Sequence, residues 1–214
     1  MYDFQAALID LDGTLVDSES LKALSLTQAV ALSGGNVRPE IYSEVMGSDW
    51  QVVRSHFLAA ANIAVSAELF DAAFRRIYQE ALARGVAERA GARRFLVALK
   101  QNEIRTALVS SAARWMIEAV VEKNGFREYF DVVIGREDVC RHKPDPEAYR
   151  LAIAQLRTSA DAAVVFEDSE AGVSAGCAAQ CRVVAIRHGF NRSHDFSRAI
   201  QVIESFDDLR AVSR

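Results

Sequence analysis

Cysteine, proline and tryptophan are all scarce in this chain, at 3, 3 and 2 of 214 residues. The cysteines, Cys140, Cys177 and Cys181, are odd in number and form no CxxC pair. That argues against a disulfide framework and suits a reducing compartment. Cys177 and Cys181 lie in an alanine-rich stretch and read as small buried side chains rather than a metal pair. No apolar run approaches the roughly 18 residues of a membrane span. The N-terminus passes from MYDFQ into an apolar run without a basic region or cleavage site, so no signal peptide is expected. Neither sign of charge dominates: 25 Lys and Arg stand against 29 Asp and Glu, a net charge of −4. Without a basic stripe, nucleic acid is not an expected partner. Repeats and low-complexity tracts are missing as well. These absences leave a soluble cytoplasmic protein as the expectation.

What is present is apolar content, 50% of residues, enough for one large domain or a core with a small accessory unit. The short apolar runs AALI (6–9), RTALV (105–109), AAVVF (162–166) and RVVAI (182–186), with DVVI (131–134) as a fifth, have the character of buried parallel strands. Helical patterns separate most of them. One over 112–124 carries Met116, Ala119, Val120 and Lys123 and stops at Gly125. Another opens at Asp145 and Pro146. The alternation predicts an α/β fold with a doubly wound parallel sheet.

One region breaks that alternation. Between the first strand and residue 90 only helical patterns occur: 18–33, a second capped by Asp49, and a third capped by Ser66 and ending at Gly85. This is too long for an ordinary crossover of about 10–15 residues. A small α-helical domain inserted over 17–86, with 1–16 and 87–214 forming the core, accounts for it.

The chemistry gathers where strands end, the place where open α/β sheets bind ligands. Asp10 and Asp12 follow the first strand, two residues apart and so on one side of an extended chain. Like charges held together at an apolar strand's end point to a cation or to acid–base work, the alternative being a plain Asp-Gly turn. Ser110 and Ser111 follow the second strand, Lys143 lies in CRHKPDPE, and Glu167 and Asp168 follow AAVVF. A carboxylate can attack phosphorus, Mg²⁺ takes hard oxygen ligands, and a serine hydroxyl with a lysine ammonium can hold phosphate oxygens. Asp10 and Asp168 can supply the metal's carboxylates, and Asp12 is spaced to move a proton.

These stretches resemble the four motifs of the haloacid dehalogenase superfamily: DLDGT the first, LVSS the second, KPDP the third and FEDSEAG the fourth, in that order over residues 10–172. A helical insert after the first motif resembles the subfamily that contains β-phosphoglucomutase and many small-metabolite phosphatases. The resemblance implies a Rossmann-like core with a cap domain and an Mg²⁺-dependent phosphatase working through an aspartyl phosphate. Asp10 becomes nucleophile and metal ligand. Asp12 becomes general acid and base, and offers its carbonyl to the metal. Ser110 and Ser111 bind phosphate, Lys143 neutralises phosphate and Asp10, Asp168 binds the metal, and Glu167 is a direct or outer ligand. Leu11 and Ser111 offer backbone N–H groups, and Gly13 and Thr14 form a hinge. The implied partner is a small phosphorylated metabolite, a sugar phosphate or relative, acted on by a monomer.

Asp12 argues against dehalogenation. Against a mutase, Trp50 stands where β-phosphoglucomutase has a cap-loop arginine, and Ala112 and Ala113 stand where it has polar groups, with Arg54 and Arg114 as substitutes. A non-catalytic binding protein is the remaining alternative, disfavoured because Asp10, Asp12, Lys143 and Asp168 are all present. Glu19, Lys22, Trp50, Arg54, His56 and Arg75 are the insert residues proposed to face the cleft, with His56 better explained by packing.

Overall fold

In a computed structural model describing residues 3–209, six strands form one parallel sheet: β1 (Ala6–Ile9), β2 (Arg105–Val109), β3 (Val132–Ile134), β4 (Ala163–Glu167), β5 (Arg182–Ile186) and β6 (Gln201–Ile203). Their order is β3-β2-β1-β4-β5-β6. The order reverses beside β1, so the carboxyl ends of β1 and β4 flank the switch point where such sheets bind ligands. Both neighbours of β1 are in register, with Ile9 opposite Leu108 on one side and Phe166 on the other.

The strands are apolar on both faces because both faces are covered. Ala7, Ile9, Leu108, Val164, Phe166, Val184 and Ile186 point into one core, together with residues of α4 (Ala92–Gln101) and α5 (Arg114–Asn124). Ala6, Leu8, Ala107, Val109, Val165 and Val183 point into the other, against α6 (Glu147–Gln155) and α7 (Glu170–Ala178). Cys181 is buried in this second core and Cys177 is half-buried, both as free thiols. No helix among the described residues is long and apolar enough to cross a membrane.

The stretch between β1 and α4 is helical, as expected. It holds α1 (Glu19–Leu32), α2 (Trp50–Ala60) and α3 (Ala67–Ala83). Asp49 and Ser66 cap α2 and α3, accepting from Gln51 N and Leu69 N; such caps satisfy otherwise orphaned N–H groups. Phe57, Phe70, Phe74 and Tyr78 are fully or almost fully buried, so the apolar positions of these helices are packing faces. The segments entering and leaving this helical insert pair with each other: Asp17 N donates to Ala87 O (2.8 Å) and Arg89 N to Leu15 O (2.9 Å).

Two details differ from the sequence reading. The α6 N-cap is Pro146, with Asp145 one residue earlier accepting from Glu147 N (2.9 Å). A sixth strand was not expected. β6 is three residues at the sheet edge with Val202 exposed, too short to show a periodicity.

Candidate active site

Of the polar residues expected at strand ends, all but Glu167 meet in one cleft above the sheet. Asp10, Asp12, Ser110, Ser111, Lys143 and Asp168 line it, and all but the half-buried Ser111 are buried. Lys143 is the central cation. Its Nζ donates to Asp10 Oδ1 (2.7 Å), Glu167 Oε1 (2.5 Å) and the Val109 carbonyl (3.0 Å). Burial alone would drive this ammonium to lose its proton, but the two carboxylates reverse that and hold its pKa well above the ordinary lysine value. The Ser110 hydroxyl accepts from Ala112 N (3.1 Å), so it stiffens the loop while facing the cleft.

Glu167, expected as a direct or outer ligand, has both carboxylate oxygens engaged by protein donors. Oε1 accepts from Lys143 and from the Tyr149 hydroxyl (2.8 Å). Oε2 accepts from Asp168 N (2.9 Å), Ser169 N (3.1 Å) and Ser169 Oγ (3.0 Å). Burial pushes its pKa up, but Lys143 and these donors outweigh it and hold the carboxyl below the usual range. The side chain is fully buried behind the cleft wall. Gly172 is close enough that a Cβ there would fall 1.9 Å from Oε1. From there Glu167 braces Lys143 and the turn carrying Asp168.

Asp168 is held by Thr14 of the first motif and by residues outside all four motifs. Thr14 Oγ1 donates to Oδ1 (3.4 Å), and His188 Nε2 lies 2.8 Å from Oδ2. Because His188 Nδ1 accepts from Phe190 N (3.2 Å), Nε2 carries the proton and donates. Asn191 Nδ2 ties the Asp168 carbonyl (2.7 Å) to the Ile186 carbonyl (2.8 Å). The sequence carries a signal for His188 and Asn191, since RHGFN directly follows the buried strand β5. Gly13, φ +73°, lets the backbone pass here; a Cβ would lie 2.0 Å from Asp168 Oδ2.

The helical insert supplies the opposite wall. Asp12 accepts from Ser18 Oγ (2.5 Å) through Oδ1 and from Lys22 Nζ (2.9 Å) through Oδ2. Lys22 lies 3.7 Å from Glu19, and Tyr42 faces Glu19. Of the six insert residues proposed to face the cleft, Glu19, Lys22 and Trp50 line it. Trp50 packs its ring 4.6 Å from that of Phe74 and donates to Asp71 (3.0 Å). Arg54 is bound to Asp71 (2.8 Å) and Arg75 covers the Trp115 ring. His56 is half-buried against Phe57, with Nε2 3.5 Å from Glu44, as its place on the apolar face suggested. Arg114 is paired with Asp138.

The charge balance bears on a metal. Five carboxylates, Asp10, Asp12, Glu19, Glu167 and Asp168, are buried here against two ammonium groups, Lys143 and the nearly buried Lys22. Burial, reinforced by neighbouring carboxylates, raises the pKa of Asp10 despite Lys143. Asp168 is raised in the same way, with Glu19 and Glu167 as its main repulsive neighbours. No group of three or more acidic, histidine or cysteine side chains among the described residues converges as a ready cage. Of the four carboxylates that line the cleft, Asp12 and Glu19 share Lys22, which leaves Asp10 and Asp168. A hard divalent ion that retains several waters fits such a set and relieves its repulsion.

Residues 7–186 match the family described as haloacid dehalogenase-like hydrolase, and the chain belongs to that family. It is 28% identical to a phosphorylated carbohydrates phosphatase of Thermotoga maritima, covering 87% of each chain. It is 26% identical to a bifunctional riboflavin kinase/FMN phosphatase of Arabidopsis thaliana over 95% of this chain, and spans only 54% of that protein's length. Solved structures of CbbY from Rhodobacter sphaeroides, in complex with phosphate and, as a mutant, with xylulose-(1,5)bisphosphate, superpose with a TM-score of 0.88. They are 26% identical and cover 98% of this chain and 97% of theirs.

Proposed function

We propose that this protein is an Mg²⁺-dependent phosphatase that hydrolyses a small phosphorylated metabolite, a sugar phosphate or a close relative, through an aspartyl phosphate on Asp10. The observation that carries the reading is Lys143 Nζ bridging Asp10 and Glu167 at 2.7 and 2.5 Å on the cleft floor, with Ser110 and Asp168 beside it. The name of the Thermotoga maritima relative and the ligands of the CbbY structures support the substrate class.

Asp10 attacks phosphorus, and the bond to the departing oxygen breaks as Asp12 gives that oxygen a proton. Water then attacks the aspartyl phosphate while Asp12 takes a proton from it, and inorganic phosphate leaves with Asp10 restored. Lys143, Ser110 and Ser111 hold the phosphate oxygens as charge shifts. The Asp10 and Asp168 carboxylates and the Asp12 carbonyl would hold magnesium, which would supply neutralisation of the phosphate charge. Glu167, His188, Thr14 and Asn191 keep Lys143 and Asp168 in position. A mutase reading is disfavoured because Arg54 and Arg114, the two arginines offered for a second phosphate, are bound to Asp71 and Asp138.

Residues 17–86 act in this reading as a cap over the core formed by 1–16 and 87–214. Ser18 and Lys22 belong to the cap and hold Asp12, so closing the cap orients the acid at the moment water is excluded. The cap loop touches the core at Gly47, φ +80°, where a Cβ would lie 2.5 Å from Ser169. Gly47→Ala is therefore expected to hold the loop away from α7 and lower kcat/KM by about tenfold or more, equivalent to roughly 1.4 kcal/mol. Unchanged steady-state kinetics in that variant would remove this contact from the closing mechanism.

The test of the function is phosphate release from a panel of phosphorylated metabolites. EDTA should abolish it and added Mg²⁺ restore it. Mg²⁺ at about a hundred times its Kd should also stabilise the fold by about 2.7 kcal/mol. Release that persists in EDTA, or no release from any panel member, contradicts the proposal.

A further inference from the structure

Glu19 is a carboxylate in an unusual position. It is 2% exposed, and its Oε2 is a buried oxygen with no hydrogen-bond partner. Such an atom is costly to leave unsatisfied, and none of the phosphoryl-transfer steps uses it. It lines the same cleft as Asp10 and Asp12. Its neighbour Lys22, at 3.7 Å, is bonded to Asp12 at 2.9 Å. Asp12 marks where the departing alcohol oxygen sits, so Glu19 flanks the first atoms beyond it. Met46, Trp50, Val53 and Phe74 form an apolar wall of the same cleft. An apolar surface facing buried hydrogen-bonding groups suits a carbon skeleton bearing hydroxyls.

The local charge restricts what that skeleton can carry. Asp12 and Glu19 are two acidic groups that share one ammonium, that of Lys22, and all three side chains are nearly buried. Lys22 is already shared between the two carboxylates. A third carboxylate brought into this corner would meet net negative charge in a poorly solvated site. A hydroxyl meets instead a free acceptor.

We propose that Glu19 reads the organic half of the substrate, its free Oε2 accepting a hydrogen bond from a hydroxyl of the departing alcohol. The site thus takes phosphate esters of polyols and turns away esters whose alcohol carries a carboxylate. The inference rests on the phosphatase reading above and narrows it. A site built around a substrate hydroxyl discriminates more strongly than an apolar pocket, because its own polar atom is stranded when the hydroxyl is missing.

The experiment measures kcat and KM with Mg²⁺ for sorbitol 6-phosphate, phosphoglycolate and p-nitrophenyl phosphate, using the wild type, Glu19→Gln and Glu19→Ala. The wild type should favour sorbitol 6-phosphate over phosphoglycolate by at least about tenfold in kcat/KM. Glu19→Gln should narrow that preference about tenfold by raising activity on phosphoglycolate, a gain that impaired folding cannot produce. Glu19→Ala should lower the ratio of sorbitol 6-phosphate to p-nitrophenyl phosphate, mainly through KM. Identical ratios in all three proteins, or a wild type that prefers phosphoglycolate, overturn the proposal. If p-nitrophenyl phosphate is hydrolysed and the other two esters are not distinguished, the proposal falls and the phosphatase reading stands. If no ester releases phosphate, both fall.

Discussion

Asp10→Asn is expected to lower kcat for phosphate release by at least about a thousandfold, some 4 kcal/mol of transition-state stabilisation, with little loss of stability. The asparagine keeps the size and one carbonyl oxygen of the aspartate, so Lys143 retains an acceptor. It cannot form the acyl phosphate. The fold should tolerate the change because Asp10 is already strained electrostatically: burial and the charges of Glu167 and Asp168 raise its pKa, and Lys143 only partly offsets them. A neutral isostere removes that repulsion. Initial rates and thermal melting of the same preparation test both halves. A variant that melts like the wild type and turns over at a comparable rate would eliminate Asp10 as nucleophile.

Lys143→Met should have the largest effect on stability. The substitution leaves Asp10 and Glu167 buried without their shared cation, a loss of about 3–5 kcal/mol for breaking a buried ion pair. For a chain of this size that corresponds to a fall in Tm on the order of 10 °C. The dependence on pH identifies the cause. In the wild type, burial raises the Glu167 carboxyl, but Lys143 and the hydrogen-bond donors more than compensate. Its folded pKa lies below the unfolded value, and its contribution is present above the unfolded pKa and lost as pH falls through the folded one. Without the ammonium, burial gains weight and the sign turns. The folded pKa then rises, and the stabilisation is present below the unfolded pKa and lost as pH increases. The variant should therefore approach the wild type most closely in acid, with the deficit widening toward neutral pH. Melting curves at pH 5 and pH 8 decide this, and a deficit of the same size at both would show lost packing rather than unpaired charge. Phosphate release should be lost at both pH values.

Much of the architecture was legible because burial on both faces writes itself as uninterrupted apolar runs. β1, β2, β4 and β5 lie within a residue of where AALI, RTALV, AAVVF and RVVAI put them. The caps Asp49 and Ser66 were equally readable, since a side-chain acceptor at a helix start leaves a local signature. α4 has Gly91, φ +78°, as its N-cap, with no side-chain cap, so no such mark announces it. The direction of the helices in the insert was not readable either. Lys22 and Arg54 are both cations on insert helices, yet one reaches Asp12 and the other closes on Asp71. Helical periodicity gives faces relative to one another, not the rotation of a helix against a distant sheet. Glu167 shows the same limit. Its motif placed it at the site, but only the donors from Tyr149, Ser169 and Lys143 reveal that both oxygens are used.

The amino-acid sequence by itself determined the strands, the helical stretch after the first of them, and the chemical kind of residue at each strand end. These are local properties, set by periodicity and by what each side chain can do. The tertiary structure decided which residues act together. His188 and Asn191 on Asp168, Lys22 and Ser18 on Asp12, and the unpartnered oxygen of Glu19 in the same cleft all depend on sheet order and on how the insert packs over the sheet. Such contacts join residues far apart in the chain, and no local pattern encodes the distance between them.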